Sequence, residues 1–289
     1  MDRAHTLWQA VAMMKDGNKM FPALLKYWRK RRGLSQLDLA LTAGVSSKHI
    51  SFLETGRSAP SIEMVMLLGG TLDVPLRDRN DLLRAAGFGP MFDEPTLDAL
   101  AHPSVSRALD RMLAQQEPFP MFAFDRNYNV LRQNKATTRL LAMILGEHVP
   151  ESFNVIGIFF DHPILRDMIV NWEQVARDVV SRLHRETLHR PNDPTLAGLL
   201  SRLLASSDVP ESWRTPDFSH GAQAIMPIEL RVGDMQLGFL TTVMQFQAPQ
   251  NITLEELRIE GWFPLDEHTE AVCTALAAQD IERSKPSDR

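Results

Sequence analysis

Ser47, Lys48 and Ser51 lie on one side of a short predicted helix, and their side chains could hydrogen-bond to the edges of DNA bases. Ile50 and Leu53 recur at helical spacing on the opposite side of the same segment. The major groove admits one α-helix and offers hydrogen-bond donors and acceptors on every base pair. This polar face is therefore the first candidate site of the chain.

No segment has the spacing of a catalytic or metal-binding motif. His184 and His189 flank Glu186, but they lack the His-Glu-x-x-His order that places two metal ligands on one helical face. Neither a glycine-rich phosphate loop nor a Gly-x-Ser-x-Gly turn occurs. Cys273 is the single cysteine, so no intrachain disulfide can form. We expect no enzymatic activity, no metal and no cofactor.

The composition is that of an ordinary globular protein. The 289 residues are 44% hydrophobic and 23% charged, and this length is typical of about two domains. The longest purely apolar run, Leu140–Leu145, has six residues, whereas a helix that spans a bilayer needs about 18 or more. The lone cysteine fits a reducing compartment. We expect a cytoplasmic protein without a membrane partner.

Basic and acidic residues are unevenly distributed along the chain. Residues 1–90 contain 13 Lys and Arg against 8 Asp and Glu, a net charge of +5, within a total of −5. The remainder of the chain carries −10. A basic first part attracts phosphates, while an acidic remainder is repelled by them. The charge pattern therefore favours nucleic acid as a partner of the first part.

The first part of the chain has the pattern of a small all-helical domain. Its apolar-periodic stretches are opened by capping residues or Pro and closed by Gly or Pro. The second and third stretches are short and separated by Gly44, which makes a helix-turn-helix. Five helices are predicted, over about 22–32, from Ser35, from Ser46, from Ser61 and after Pro75.

After Phe88 the sequence changes to a link rich in Pro, Gly and acidic residues. Beyond it, strand-like runs at both ends of a mainly helical segment predict a sheet with helices packed on it. The predicted strands are 119–125, 129–133, 222–231, 235–247 and 254–263, and the predicted helices are 104–115, 135–145, 163–188, broken near Asn171, and 194–205. The predicted organisation is a lead-in (1–20), a helix-turn-helix domain (21–88), a linker (89–102), an α+β domain (103–275) and a tail (276–289).

Leu34–Arg57, LSQLDLALTAGVSSKHISFLETGR, closely resembles the helix-turn-helix of phage-repressor-like (XRE-type) transcription regulators. The resemblance implies double-stranded DNA as a partner, and it implies roles for single positions. Phosphate or backbone contacts are implied for Gln36, Ser46 and Arg57, and contacts to base edges for Ser47, Lys48 and Phe52, with Ser51 on the same polar face.

Three further roles are expected in and beside this motif, for Phe52, Arg29 and Glu54. Phe52 is expected to pack on a thymine methyl group, and the alternative is a contact with another protein surface, which exposed aromatics often mark. Arg29 and Glu54 occupy the positions where the family usually has an ion pair between the first and third helices. We expect this pair to stabilise the fold rather than to contact DNA.

The second part of the chain resembles the MmyB-like regulators. The segments that carry this resemblance are FDHPILRDMIVNWEQVARDVVSRLHRE (160–186), VPESWRTPDF (209–218) and NITLEELRIEGWFPLDEHT (251–269). The resemblance extends over nearly the whole chain, apart from about the first 20 and about the last 15 residues. It implies a PAS-like α+β sensor domain that binds a small-molecule effector, with a fatty acid as one suggested ligand. The implied fold class is a five-helix DNA-binding domain followed by this sensor domain.

Large aromatic side chains and one amide are the candidate ligand contacts, namely Phe124, Phe160, Asn171, Trp172 and Trp213. Asn171 beside a buried Trp172 would need a hydrogen-bond partner that a ligand can supply. Each candidate also has a simpler interpretation, because buried aromatics usually fill a core and because Asn171 could cap the helix that follows it.

The hypothesis from the sequence is a DNA-binding transcription regulator controlled by a small, apolar ligand. It would act as a homodimer whose two recognition helices read half-sites about one helical turn apart. The alternative is a protein-interaction adaptor that keeps the helix-turn-helix fold, with the second domain serving only dimerisation. A selection of bound DNA sequences separates the two, since only a regulator returns a consensus.

Overall fold

The computed structural model describes residues 20–92, 103–146, 152–190, 193–206, 209–215, 227–246 and 251–283. The predicted lead-in up to residue 19, most of the linker (93–102), the predicted strand residues 222–226 and 247, and the tail from 284 lie outside the described residues. The described residues fall into two compact units: the first comprises those up to 92 together with 251–255, and the second comprises 103–246 and 256–283. None of the described helices is long and apolar enough to cross a membrane.

The five predicted helices of the first unit are all present. They are α1 (Met20–Arg31), α2 (Gln36–Ala43), α3 (Ser47–Glu54), α4 (Ile62–Thr71) and α5 (Leu76–Ala85). Each helix contributes apolar side chains to one core, which includes the fully buried Leu25, Leu39, Ile50, Leu53, Leu68 and Leu83. Burial of this core drives the folding of the unit, because isolated helices of 8 to 12 residues are marginal in water.

Local signals in the sequence set the helix limits of this unit. Ser35, Ser46 and Ser61 each accept a hydrogen bond from the backbone N–H three residues later, at 3.1, 3.1 and 3.2 Å. Such N-caps satisfy one of the free N–H groups at a helix start. Gly33 and Gly44 follow α1 and α2 with a φ of 68° each, a left-handed conformation that favours glycine.

Residues 251–255 complete the first unit from a distant part of the sequence. Ile252 is fully buried against Leu76 and Phe92. The Glu255 carboxylate accepts a hydrogen bond of 2.9 Å from the backbone N–H of Leu76, the first residue of α5. A carboxylate at this position also interacts favourably with the positive end of the helix dipole. The start of α5 is therefore stabilised by a segment that lies 179 residues further along the chain.

The second unit combines helices with a sheet, so the predicted α+β class is correct. Its helices are α6 (Pro103–Gln115), α7 (Lys135–Leu145), α8 (Val155–Asp161), α9 (Pro163–Met168), α10 (Trp172–His189), α11 (Pro194–Leu204) and α13 (Glu267–Arg283), with a 3₁₀ turn at Glu211–Arg214. Its strands are β1 (Met121–Phe124), β2 (Val130–Gln133), β3 (Pro227–Val232), β4 (Met235–Met244) and β5 (Arg258–Pro264). A short helix, α12 (Ile252–Glu256), precedes β5 and belongs almost wholly to the first unit.

The five described strands form one antiparallel sheet in the order β2-β1-β5-β4-β3. A tight turn joins β3 to β4 at Gly233, whose φ is 59°. In the centre of the sheet, Phe122 of β1 pairs with Glu260 of β5. Helix α7 contacts β1, and α13 contacts β4 and β5, so residues from both ends of this unit cover the sheet.

Two errors in the predicted secondary structure arise from an overlooked asparagine cap, and a third is the long helix α13 (Glu267–Arg283), which was not predicted and extends into the predicted tail. Residues 254–256 belong to α12 and not to a strand, since the side-chain Oδ1 of Asn251 accepts a hydrogen bond of 2.8 Å from the Thr253 N–H. Helix α8 was not predicted at all, although the Asn154 side chain caps it by accepting from the Gly157 N–H at 3.0 Å. Asparagine is among the strongest N-cap residues, so both helix starts were visible in the sequence.

The buried contact of Ile252 predicts a remote effect on α5. Replacing it by alanine (Ile252→Ala) leaves a cavity beside Leu76, and we expect it to lower the free energy of unfolding of the first unit by about 2–4 kcal/mol. Hydrogen exchange of the α5 amides should accelerate by the corresponding factor. Leu254→Ala, in the same segment but half-buried, is the control and should have a smaller effect. Unchanged exchange in α5 for Ile252→Ala would contradict this packing role.

Candidate nucleic-acid interface and ligand pocket

Helices α2 and α3 form a compact helix-turn-helix. Helix α2 ends where the N–H groups of Gly44 and Val45 donate to the carbonyls of Leu41 and Ala40 at 3.3 and 2.9 Å. The next residue, Ser46, caps α3, so the connection between the helices is only three residues long. Such a short turn fixes the angle between the helices and presents the outer face of α3 to the surroundings.

A buried ion pair ties α1 to α3, as the sequence predicted. Arg29 Nε and Nη2 donate to the two Glu54 carboxylate oxygens at 2.5 and 2.8 Å. The Arg29 and Glu54 side chains are 10% and 2% exposed. Arg29 Nη1 also donates to the Leu34 carbonyl at 2.7 Å, and Gln36 Nε2 donates to Glu54 Oε2 at 2.8 Å. The network therefore joins α1, the α1–α2 turn, α2 and α3.

The pKa values of the pair reflect this mutual stabilisation. Hydrogen bonding to Glu54 raises the pKa of Arg29 and outweighs the opposing effect of burial. Burial by itself would raise the pKa of Glu54, but the hydrogen bonds from Arg29 and Gln36 and the positive charge of Arg29 lower it below its ordinary value. Both groups are thus held in their charged forms, as a bidentate pair requires.

The predicted base-contacting residues lie on one accessible side of α3. Ser47 and Lys48 are exposed, and Ser51 and Phe52 are half-buried, whereas Ile50 on the opposite side is fully buried. This arrangement matches the predicted polar face. It leaves hydroxyl, ammonium and aromatic groups available to a groove of DNA.

The predicted phosphate contacts have different surroundings. Gln36 is half-buried, and its Nε2 group donates a hydrogen bond to Glu54. Its side-chain oxygen and its backbone N–H at the start of α2 are available for other hydrogen bonds. The Ser46 hydroxyl caps α3 by accepting from the His49 N–H at 3.1 Å. Arg57 follows α3 and is exposed.

The Phe52 ring lies close to two cations of the same surface. Lys48 Nζ is 5.5 Å from the ring centroid, and Arg57 Cζ is 5.9 Å from it. Both distances are within the range of a cation–π interaction. The three residues that were predicted separately as DNA contacts therefore form one cluster.

The second unit contains a small apolar cavity. It has a volume of about 30 Å³ and is lined by Pro120, Phe122, Thr137, Leu140, Leu141, Phe153, Val155, Ile158, Phe159 and Trp262. Of these lining residues, Thr137 and Trp262 alone have polar side-chain atoms. The Thr137 hydroxyl donates to the Met121 carbonyl at 3.1 Å, and Trp262 Nε1 donates to Glu260 Oε1 at 2.9 Å. The cavity therefore offers apolar contacts and no free hydrogen-bonding side chain.

The five residues predicted to contact a ligand do not line this cavity. Phe124 is buried next to it and stacks on Tyr128, with ring centroids 5.5 Å apart. Phe160 and Trp172 form an edge-to-face pair at 4.8 Å, and the Trp213 carbonyl accepts a hydrogen bond of 2.9 Å from His184 Nε2. All four aromatic residues belong to the same hydrophobic core or pack against it. Phe122, Phe159 and Trp262, which line the cavity, are not among the predicted ligand contacts, because residue type alone does not distinguish a cavity wall from core packing.

Asn171 has a structural role that neither interpretation of the sequence included. Its Nδ2 donates to the Pro227 carbonyl at 2.8 Å, and its Oδ1 accepts from the Glu229 N–H at 3.1 Å. It occupies the N-cap position of α10, but its side chain makes no capping hydrogen bond. The side chain instead holds the first residues of β3 against the start of α10.

A group of buried polar side chains lies beside the aromatic part of this core. Glu260 is buried, and burial raises its pKa. The Arg182 guanidinium lies 5.3 Å from the centroid of the Tyr128 ring, whose hydroxyl donates to Glu186 at 2.7 Å. Arg182 Nε is buried without a hydrogen-bond partner. An unpartnered buried donor is unusual in a protein core and marks a place where an acceptor would be favourable.

Among the described residues, no group of three or more His, Cys, Asp or Glu side chains could hold a metal ion. Cys273 is buried, and burial raises the pKa of its thiol to about 11. A thiol with a raised pKa is a poor nucleophile at neutral pH, since the thiolate is the reactive form.

Two family models match the chain. Residues 105–276 match the MmyB-like transcription regulator ligand binding domain, and residues 25–78 match a helix-turn-helix. The first match includes the cavity and the buried polar group, and the second includes the ion pair and all of α2 and α3. No curated protein matches the chain.

The ion pair predicts how the first unit responds to acid. Because the pKa of folded Glu54 is lowered, its stabilising contribution is present above its ordinary pKa of 4.5 and is lost as the pH falls through the folded value. Glu54→Gln leaves a buried Arg29 unpaired, and we expect it to lower the free energy of unfolding by about 3 kcal/mol at pH 7. The difference between the two proteins should shrink below about pH 4. Urea unfolding at several pH values measures this, with the exposed Asp81→Asn as control; a difference independent of pH would contradict it.

Proposed function

The chain belongs to the family of MmyB-like transcription regulators, and from this premise we propose that it binds specific DNA sequences under the control of a small apolar ligand. Its helix-turn-helix and ligand-binding domain make it a DNA-binding transcription regulator in the broad sense. The proposal concerns the residues that bind, the type of ligand and the oligomeric state.

The geometry of α3 is the observation that carries the DNA-binding proposal. The buried Arg29–Glu54 pair anchors the inner side of the helix, and Ser47, Lys48 and Ser51 lie on its accessible side. A recognition helix must be rigidly held, because base readout depends on hydrogen-bond geometry. We propose that Ser47, Lys48 and Ser51 face base edges. We propose in addition that Gln36, Ser46 and Arg57 contact the DNA backbone, and that Phe52 belongs to the same interface.

We propose that the protein binds DNA as a homodimer. Helix α3 has eight residues, and at 1.5 Å per residue it is about 12 Å long. A helix of this length contacts only a few base pairs, so one copy carries little sequence information. Two copies on half-sites about one helical turn apart would multiply the affinity and the specificity.

The ligand is proposed to be apolar because the cavity is apolar. A cavity of about 30 Å³ holds only a few atoms, whereas ligand pockets usually have about 300–1,000 Å³. A ligand must therefore displace lining side chains such as Phe159 or Trp262 when it binds. This requirement supports an effector role, since a ligand that changes the packing changes the balance between conformations.

The buried polar group supports an acidic end on this ligand. Arg182 has an unpartnered Nε in the same unit, and burial favours the neutral form of the nearby Glu260. A carboxylate would supply an acceptor for this Nε–H group in a charge-assisted hydrogen bond. We therefore propose an apolar acid, of which a fatty acid is the simplest example.

We propose in addition that the protein has a regulatory rather than a catalytic role and that it is cytoplasmic. Both families that match the chain describe binding domains of regulators rather than catalytic domains. The raised pKa of the Cys273 thiol likewise favours an unreactive, structural side chain.

Selection of bound sequences from random DNA tests the DNA-binding proposal. We expect a consensus with two half-sites, and affinity for it should fall as salt increases because counterions are released on binding. Lys48→Ala should reduce discrimination at one position per half-site by about tenfold. Lys30→Ala, an exposed lysine of α1, is the control and should leave discrimination unchanged. The absence of any consensus would instead favour a protein-interaction adaptor.

Mass spectrometry of natively purified and then denatured protein tests the ligand proposal. We expect an apolar acid to be released, and Ile158→Phe, which fills the cavity, should reduce the bound fraction several-fold. Leu199→Phe is the control, since Leu199 is buried to the same extent in the same core but does not line the cavity. An empty protein whose melting temperature does not change with any of a panel of fatty acids would overturn the proposal and favour a pure dimerisation role.

A further inference from the structure

Phe52 and the two neighbouring cations, Lys48 and Arg57, form a cluster at the accessible side of α3. Lys48 and Arg57 are both exposed, and the charged group of each lies within cation–π range of the Phe52 ring. Two positive charges near one ring repel each other. The negative face of the aromatic ring attracts both cations and offsets part of this repulsion.

The backbone brings both cations to the ring by different routes. Lys48 precedes Phe52 by four residues, so the two side chains are neighbours on the surface of α3. Arg57 lies beyond the end of α3, where Gly56 with a φ of 71° allows the chain to turn back. The Phe52 carbonyl then accepts hydrogen bonds from the N–H groups of Arg57 and Ser58, at 2.9 and 3.3 Å. The Phe52 carbonyl thus fixes the backbone position of Arg57, and the Phe52 ring restrains the Arg57 guanidinium group.

Long basic side chains lose much conformational freedom when they bind a phosphate or a base, and restraint before binding reduces that loss. We propose that Phe52 is a positioning residue, which holds Lys48 over the base edges and Arg57 beside the DNA backbone. The inference deepens the proposed DNA-binding function and rests on it. It assigns to Phe52 a role different from direct packing on a thymine methyl group.

Equilibrium DNA binding with the sequence selected by the unchanged protein tests this inference. Phe52→Leu keeps an apolar side chain but removes the ring, and we expect affinity to fall about five- to thirtyfold, which corresponds to the loss of two exposed cation–π interactions. Phe52→Tyr keeps the ring and should restore most of the affinity. A melting curve of each variant separates loss of positioning from loss of folding.

A double-mutant cycle gives the decisive readout. If Phe52 acts through Lys48 and Arg57, Lys48→Ala and Arg57→Ala should each have a smaller effect in the Phe52→Leu background than in the unchanged protein. Fully additive effects would overturn the positioning role.

Binding to operator DNA in which each thymine is replaced in turn by uracil, which lacks the methyl group, is a second test. A direct contact to a thymine methyl predicts a loss of affinity at one position that disappears in Phe52→Ala, whose side chain is too short to replace the contact, and this result would also overturn the inference. Equal responses of both proteins at every position support it. Failure of the proposed function is distinct, because in that case the unchanged protein selects no DNA sequence at all.

Discussion

The Arg29–Glu54 ion pair is the interaction on which the shape of the first unit depends. Both side chains are buried, and a buried charge is tolerated only when hydrogen-bond partners replace its lost hydration. Glu54 meets this condition by accepting from Arg29 and Gln36, and Arg29 by donating to Glu54 and to the Leu34 carbonyl. The pair therefore links every element of the helix-turn-helix to α1. It leaves the opposite face of α3 free to bind, which explains how eight residues can present a rigid surface.

The second unit is organised by a different constraint, the filling of an apolar core next to buried charges. Trp262 connects the two parts, because its ring lines the cavity while its Nε1 donates to the buried Glu260. A ligand that displaces this ring also disturbs the hydrogen bond to a buried carboxylate. Binding of a ligand in the cavity would in this way alter the hydrogen bonding of the polar group that contains Arg182, Tyr128 and Glu260.

Particular residues show what could and could not be predicted. The caps Ser35, Ser46 and Ser61 gave correct helix starts, and the same reasoning applied to Asn154 and Asn251 would have found α8 and α12. The accessible polar face of α3 could be predicted because helical spacing alone decides which residues share a face. The cavity could not, since its walls come from α7, α8, β1, β5 and the segments between them, and no periodicity in the chain relates these elements.

The sequence by itself determined the helix-turn-helix, its caps, its polar face and the α+β class of the second unit. These features depend on contacts within a few residues or on hydropathy patterns along one element. Only the tertiary structure decided that Ile252 and Glu255 stabilise α5, that Asn171 binds β3 and that Lys48 and Arg57 both lie close to the Phe52 ring. The physical reason is that the sequence offers several possible partners for each of these side chains. Which partner comes within a few ångströms depends on how residues far apart in the chain pack together.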